Sequence, residues 1–178
     1  MTFTISPASP ASPADADAVG EIHAESWKAA NASFFAPAFF AEAVRRRRTK
    51  WHDVLAADDG NTVLLAARDG RPLAFSYFGP SATHPGAAEI HGFYGHPDGW
   101  GSGIAQALMA ATLDRIQAGG FDRVHLWTLR DTPRSHRFYA KCGFTASGTV
   151  RTYDYGDGNP LHQVEYALIP ESGGAPSR

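Results

Sequence analysis

The sequence predicts a mixed α/β fold in which about seven short strands alternate with four helices. Short runs of alternating or continuous apolar residues recur along the 178-residue chain, a pattern typical of strands. Between them lie longer segments whose apolar residues recur at helical spacing. The predicted order is one strand, two helices, three strands, one helix, one strand, one helix and two strands. Because 43% of the residues are hydrophobic and 12% are aromatic, we expect a single domain over 1–178 with a sizeable core.

The first part of the chain contains one strand and two helices. Residues 2–6 alternate apolar and polar side chains, and a linker rich in proline, alanine and serine ends this strand, so that 1–12 form the first strand and its linker. Helices are predicted from Pro13 to about Ala30 and from Pro37 to about Ala57. An aromatic cluster near the start of the second helix belongs either to the core or to the wall of a pocket: Phe34, Phe35, Phe39 and Phe40.

Three strands follow, and the first two are predicted to form a hairpin. They cover 62–68 and 71–79, and Asp69-Gly70 between them is the two-residue signal of a tight turn. A loop at 80–87 precedes the third strand, which contains 89–94.

A glycine-rich turn ends this strand and opens a helix that runs from Gly103 to Ala118. Gly101 and Gly103 allow the backbone to approach a ligand closely, and the first N–H groups of the helix have no partner within it. These groups lie at the positive end of the helix dipole, so the turn can bind an anion such as a pyrophosphate. The alternative is a simple turn, since the chain has neither a Walker lysine nor a GxGxxG motif here.

The remaining chain contains a second strand and helix pair, two further strands and a tail. The segment 122–144 is predicted to form a strand and a short helix that ends in Gly-Phe. Strands are predicted at 149–155 and 161–169, and a flexible tail at 171–178.

The two strand and helix segments resemble the GNAT superfamily of N-acetyltransferases. The acetyl-CoA loop of that family, Gln/Arg-x-x-Gly-x-Gly/Ala, corresponds to Trp100 to Ala105, with Trp100 in place of Gln or Arg. Its later segment, Asn-x-x-Ala-x-x-Phe-Tyr-x-x-x-Gly-Phe, corresponds to Thr132 to Phe144, with Ser135 in place of alanine and the Phe-Tyr and Gly-Phe pairs present. The resemblance covers nearly the whole chain. It implies a central mixed, mostly antiparallel sheet of about seven strands flanked by helices.

The resemblance also implies acetyl-CoA as the acetyl donor. Its pyrophosphate is then expected on the backbone amides of 101–105, its pantetheine arm along the strand end, and its thioester oxygen at a backbone N–H near Tyr94 or Gly95. Thr132 replaces the family's asparagine and either caps the short helix or bonds the pantetheine. The predicted cofactor-binding residues are Phe93, Tyr94, Gly95, Trp100, Gly101, Ser102, Gly103, Ile104, Ala105, Thr132, Ser135 and Tyr139.

Direct transfer to an amine requires a proton donor and a proton acceptor. Tyr139 matches the family's phenol near the CoA sulfur and is the predicted acid, and its alternative role is aromatic packing. Glu89 is the predicted base and His91 the second choice, because alternation along the strand places both on the face of Phe93. Either residue could equally be a structural partner on its strand.

Aromatic side chains, some of them with polar tips, are the candidates for the acceptor pocket: Trp27, Phe34, Phe35, Tyr77 and Tyr153. They suit an amine with an apolar portion, whether a small molecule or a peptide. The sequence thus predicts an N-acetyltransferase for an unidentified amine. The alternative is a non-catalytic acyl-CoA-binding sensor or regulatory module.

Charge and cysteine content argue against several other classes of protein, such as nucleic-acid-binding, membrane-binding and disulfide-bonded proteins. With 16 basic and 18 acidic residues, the net charge of −2 gives no general attraction to nucleic acid or to an anionic membrane. The arginine run 45–48 is predicted to be a solvated helix face, or else to attract CoA phosphates or an acidic substrate. The single cysteine, Cys142, allows no internal disulfide and is predicted to be a small buried side chain. No His-x-x-x-His pair occurs, so no metal is expected. Since the sequence has neither a signal peptide nor a long apolar run, we expect a cytoplasmic protein. We expect it to be a monomer or a homodimer.

Overall fold

A computed structural model describes residues 1–169, so the tail predicted at 171–178 lies outside the described residues. The described chain contains seven strands: β1 (Phe3–Pro7), β2 (Thr62–Arg68), β3 (Arg71–Pro80), β4 (Ala87–Gly95), β5 (Arg123–Leu129), β6 (Thr145–Tyr153) and β7 (Leu161–Leu168). It also contains five α-helices: α1 (Pro13–Ala30), α2 (Pro37–Thr49), α3 (Trp51–Ala56), α4 (Ile104–Ala118) and α5 (Pro133–Lys141).

The strands form one sheet with the order β1-β2-β3-β4-β5-β7-β6. Antiparallel pairing joins β1 to β2, β2 to β3, β5 to β7 and β6 to β7. By contrast, β4 and β5 run parallel, with Ala87 opposite Arg123. The predicted mixed, mostly antiparallel sheet flanked by helices is therefore confirmed.

Two element boundaries differ from the sequence prediction. The helix predicted over 37–57 is divided, because α2 ends at Thr49 and α3 begins at Trp51. At this division the Trp51 side chain is buried in the core. Strand β6 begins at Thr145 instead of 149, and its pairing with β7 shifts register between Ala146 and Val150. Such a bulge interrupts the period-two pattern by which a strand is recognised in a sequence.

The chain divides into two compact units. Unit 1 consists of 1–79 and 91–115, and unit 2 consists of 80–90 and the chain from Ile116 onwards. The core of unit 1 combines buried residues of α1, α3, β2 and β3: Ala16, Val19, Ile22, Trp51, Val63, Leu65 and Phe75. The buried core of unit 2 includes Ala87, Ala88, Val124, Leu126, Tyr139, Phe144 and Tyr166.

Helices α1 and α2 of unit 1 lie very close together at Gly20. A Cβ atom built on this residue would clash with the carbonyl oxygen of Arg48. The Arg48 side chain forms ion pairs with Glu21 and Glu25 of α1. Glycine at position 20 therefore allows the close contact that brings the end of α2 against α1.

Among residues 1–169, every helix is too short or too polar to cross a membrane.

Candidate active site

The turn after β4, in unit 1, is held by backbone and hydroxyl hydrogen bonds. The N–H of His96 donates to the carbonyl of Leu73 at 2.8 Å and fixes the point where the chain leaves the strand. The N–H of Gly99 then donates to the carbonyl of His96 at 2.8 Å. The Ser102 hydroxyl donates to the carbonyl of Gly99 at 2.6 Å. The turn is therefore ordered by its own hydrogen bonds before any ligand is considered.

Gly101 and Gly103 have backbone conformations that favour glycine. Their φ angles are +75° and +88°, in the left-handed region that L side chains rarely adopt. A Cβ atom on Gly101 would meet nothing within 4 Å, and one on Gly103 would meet only the Phe3 ring at 3.9 Å. Since α4 begins at Ile104, the N–H groups of its first turn follow directly and have no acceptor within the helix. This arrangement can bind an anion.

Trp100 braces this turn against the end of β4. Its indole Nε1–H donates to the carbonyl of Gly95 at 2.9 Å, and the side chain is 39% exposed. The polar atom of the indole is thus engaged with Gly95, one of the positions predicted to pair with pantetheine.

A surface ion pair ties the same turn to the β2–β3 hairpin. The Arg71 guanidinium lies 2.6 Å from the Asp98 carboxylate, and this contact, before any other, lowers the pKa of Asp98. Arg68 donates to the carbonyl of Asp98 at 3.3 Å. Both groups are exposed, so we assign the ion pair a positioning role and only a small contribution to stability.

The second candidate base, His91, belongs to a polar network of unit 1. Its Nε2 lies 3.1 Å from Oδ1 of Asn61, whose Nδ2 donates to the Tyr77 hydroxyl at 3.1 Å. That hydroxyl donates to the Asp59 carboxylate at 3.2 Å. Burial raises the pKa of Tyr77, and the bonds from Asn61 lower the pKa of Asp59. Two predicted site residues, His91 and Tyr77, are therefore brought together, with their rings 5.3 Å apart.

Next to this region lies a histidine that the sequence did not single out. His23 is buried on α1, and the Trp51 indole N–H donates to its Nδ1 at 3.2 Å. Its proton therefore lies on Nε2, which has no hydrogen-bond partner among the described residues. The ring lies 4.4 Å from that of Tyr94 on β4. Burial, followed by the charges of Lys50 and Arg47, lowers the pKa of His23 well below its ordinary value, so the ring is neutral at pH 7. In the sequence His23 is one of several residues that recur at helical spacing, and this pattern alone does not distinguish it from a core residue.

The predicted acceptor aromatics belong to both units. Trp27 and Phe35 stack at 5.3 Å, with the Arg47 guanidinium 3.1 Å above the Trp27 ring, and both aromatic side chains are buried. This is the environment of core residues. Phe34 is half-buried in a short 3₁₀ turn of unit 1. Tyr153 belongs to unit 2, where it is exposed on β6.

In unit 2, α5 contains the predicted acid. Tyr139 is 8% exposed, and its ring packs against Phe138, Phe144 and Tyr166. Thr132 occupies the N-cap position, but its hydroxyl donates to the carbonyl of Leu129 at 2.6 Å and forms no capping bond.

Ser135 and Cys142 are two partly buried residues on and next to α5. Ser135 is a half-buried residue of this helix. Cys142, which follows it, is half-buried rather than buried, and burial raises the pKa of its thiol, so the thiol is protonated at neutral pH.

The leading candidate base, Glu89, also lies in unit 2. Its Oε2 is 3.6 Å from Nε2 of His125, a buried histidine on β5. Nδ1 of His125 lies 3.1 Å from Oε1 of Glu165 on β7, and Nε2 of His84 lies 2.9 Å from the same oxygen. The sequence predicted none of these contacts, because the residues come from separate segments of the chain.

Comparison with known proteins gives concordant matches. A model of the Acetyltransferase (GNAT) family matches residues 20–144. An uncharacterized N-acetyltransferase of Mycobacterium bovis is 32% identical over 114 residues, which are 64% of this chain and 69% of that protein. A mycothiol acetyltransferase of Sanguibacter keddieii is 35% identical over 91 residues, 49% of this chain, and the match spans only 29% of that longer protein.

A solved structure shares the fold. The PaiA N-acetyltransferase of Thermoplasma acidophilum, in complex with coenzyme A, superposes with a TM-score of 0.72 at 21% identity, covering 93% of this chain and 98% of that one.

Proposed function

Since the chain belongs to the GNAT family of acetyltransferases, we propose that it transfers the acetyl group of acetyl-CoA directly to an amine of a small molecule or peptide. The observation that carries this proposal is the turn after β4. It combines two glycines at positive φ, open space above them and the N-terminus of a 15-residue helix. Backbone N–H groups at such a helix start bind the pyrophosphate of the donor.

The thioester is activated by backbone groups at the end of β4. An N–H near Tyr94 or Gly95 stabilises the oxyanion that develops as the amine attacks, an effect that is usually the largest contribution to acyl transfer. Tyr139 donates a proton to the departing CoA thiolate. The motif match supports this role for Tyr139, and its burial among aromatic rings supports a fixed orientation of the phenol.

The acceptor amine loses its proton to Glu89 or, failing that, to His91. Each has a polar partner that orients it: His125 lies 3.6 Å from Glu89, and Asn61 lies 3.1 Å from His91. A carboxylate also attracts the ammonium form of the amine, which predominates at neutral pH. Glu89 is therefore the preferred base.

One observation favours a second candidate, a non-catalytic acyl-CoA-binding module. The Trp100 indole donates to the Gly95 carbonyl, so this carbonyl already has a donor before a pantetheine amide could pair with it. Such a chain would bind acetyl-CoA and release no CoA in the presence of amines.

A screen of amines with thiol release as the readout tests both candidates. The library contains small alkyl and aryl amines, polyamines, peptide N-termini and lysine peptides. Amine-dependent release of CoA that is lost in Tyr139→Phe supports the transferase. Calorimetric binding of acetyl-CoA with no release for any amine supports the binding module, and the absence of acetyl-CoA binding overturns both.

A further inference from the structure

We propose that His84, His125 and Glu165 of unit 2 form a binding site for a divalent transition metal ion, of which Zn²⁺ is the representative. His84 lies in the 81–86 segment before β4, His125 on β5 and Glu165 on β7. One ring nitrogen of each histidine and a carboxylate oxygen of Glu165 all lie within 4.8 Å of one another. The proposal does not rest on acetyl transfer, although His125 is also the residue that lies 3.6 Å from Glu89.

The spacing of these atoms fits one small cation. Oε1 of Glu165 lies 2.9 Å from Nε2 of His84 and 3.1 Å from Nδ1 of His125. In a tetrahedral zinc site, with bonds of about 2.1 Å, ligand atoms are separated by roughly 3.4 Å. Shifts of a few tenths of an ångström bring these two separations to that value, and the third pair of ligand atoms lies within 4.8 Å.

The atom of each ligand that faces away from the cluster already has a hydrogen-bond partner. Nδ1 of His84 lies 2.8 Å from the Thr83 hydroxyl, and Nε2 of His125 lies 2.7 Å from the Ser81 hydroxyl. The second oxygen of Glu165 accepts from the Ser147 hydroxyl at 2.6 Å. Metal-binding histidines characteristically use their other ring nitrogen in this way, which fixes the tautomer that directs a lone pair at the ion.

The segment that contains His84 is preorganised. The N–H of Ser81 donates to the carbonyl of Ala87 at 2.9 Å, and the N–H of Ala87 donates to the carbonyl of His84 at 3.0 Å. The N–H of His84 also donates to the Ser81 hydroxyl at 3.0 Å. This short turn holds the His84 imidazole over that of His125, with the ring centroids 4.1 Å apart. Binding therefore requires little ordering of the chain.

Burial and charge identify the kind of ion. His125 and Glu165 are buried, whereas the His84 side chain is 35% exposed and gives the ion a path from solvent. A buried carboxylate requires a compensating positive charge. Two imidazoles and one carboxylate favour zinc and its neighbours over Mg²⁺ or Ca²⁺, which prefer oxygen ligands, and they leave a fourth position for water.

The test uses the untagged full chain after treatment with a chelator. Zn²⁺ is titrated by calorimetry, and Co²⁺ by visible absorption, which reports tetrahedral coordination. We expect one ion per chain, no binding of Mg²⁺ and a higher Tm with Zn²⁺. His84→Ala, in a surface turn, and Glu165→Gln should abolish the Co²⁺ spectrum. Ser147→Ala removes only a supporting hydroxyl and should weaken binding roughly 10- to 100-fold.

The matched control is His162→Ala, which removes an exposed histidine of β7 in the same unit. Its affinity for Zn²⁺ should equal that of the wild type. A wild-type chain that binds neither ion would show that the cluster is held by hydrogen bonds only and would overturn the proposal. Binding that persists in folded His84→Ala would place the ion elsewhere and would overturn it as well.

Discussion

Replacing Gly103 with valine tests whether the turn after β4 binds the phosphates of CoA. The same replacement at Gly70 is the control, because it strains the backbone without touching the proposed site. Gly103 has φ +88° and Gly70, in the β2–β3 hairpin, has φ +82°. A Cβ atom built on Gly70 meets nothing within 4 Å, and one built on Gly103 meets only Phe3, at 3.9 Å. The backbone strain is therefore comparable at the two positions, and neither Cβ atom clashes. Placing an L residue in this region costs about 1–2 kcal/mol, which lowers the Tm of a chain of this size by roughly 2–8 °C.

The two variants should differ in CoA affinity. We expect the valine at 103 to occupy space that the proposed site gives to the pyrophosphate, and so to cost at least one backbone N–H contact with it. Loss of one hydrogen bond to a charged group costs about 1.5–3 kcal/mol, or roughly a 10- to 100-fold loss of affinity. Gly70→Val should bind CoA as the wild type does.

Calorimetry with CoA, beside thermal unfolding of both variants, checks this prediction. Unchanged CoA affinity in a folded Gly103→Val chain refutes the assignment of the turn as the phosphate site. An equal loss of affinity in both variants shows that lower stability, and not the turn itself, is responsible.

Four further predictions concern catalysis and stability. Tyr139→Phe should lower turnover by roughly 10²- to 10⁴-fold with little change in CoA affinity, because only the transferable proton is removed; unchanged steady-state rates would leave the phenol a packing role. Glu89→Gln should depress turnover most at low pH, where the amine is protonated, and a pH–rate profile that overlays the wild type would exclude it, in which case His91→Asn is tested in the same way. Gly20→Ala should lower the free energy of unfolding, measured with urea, by about 1–3 kcal/mol, because the added methyl group overlaps the backbone of α2. If the free energy of unfolding instead rises by about 1 kcal/mol, as the higher helix propensity of alanine alone would give, the close contact between the helices is refuted. Because the pKa of buried His23 is lowered, only the unfolded chain gains a proton below pH ~6.5, so stability falls there by up to about 1.4 kcal/mol per pH unit; His23→Gln should flatten this dependence in urea titrations made with a chelator present.

Short-range sequence signals were enough to predict several elements of the fold. The Asp69-Gly70 pair predicted a hairpin that the structure contains, with both residues at positive φ. The glycines at 101 and 103 predicted the strand, turn and helix that carry the proposed donor site. Such features are encoded within a few residues, since backbone preference and periodicity act over short distances. The family resemblance added the mostly antiparallel sheet, which periodicity alone does not specify.

Tertiary structure decided the features that depend on residues far apart in the sequence. The Trp100 indole became a brace on Gly95, and the Thr132 hydroxyl turned to Leu129 instead of capping its helix. No metal was expected from the sequence, because spacing rules detect ligands that lie on one helix or one loop. His84, His125 and Glu165 come from a turn and two strands, and only the pairing of β5 with β7 and the turn before β4 bring them together. Such contacts arise from the packing of segments that are distant in the sequence, so local sequence patterns do not predict them.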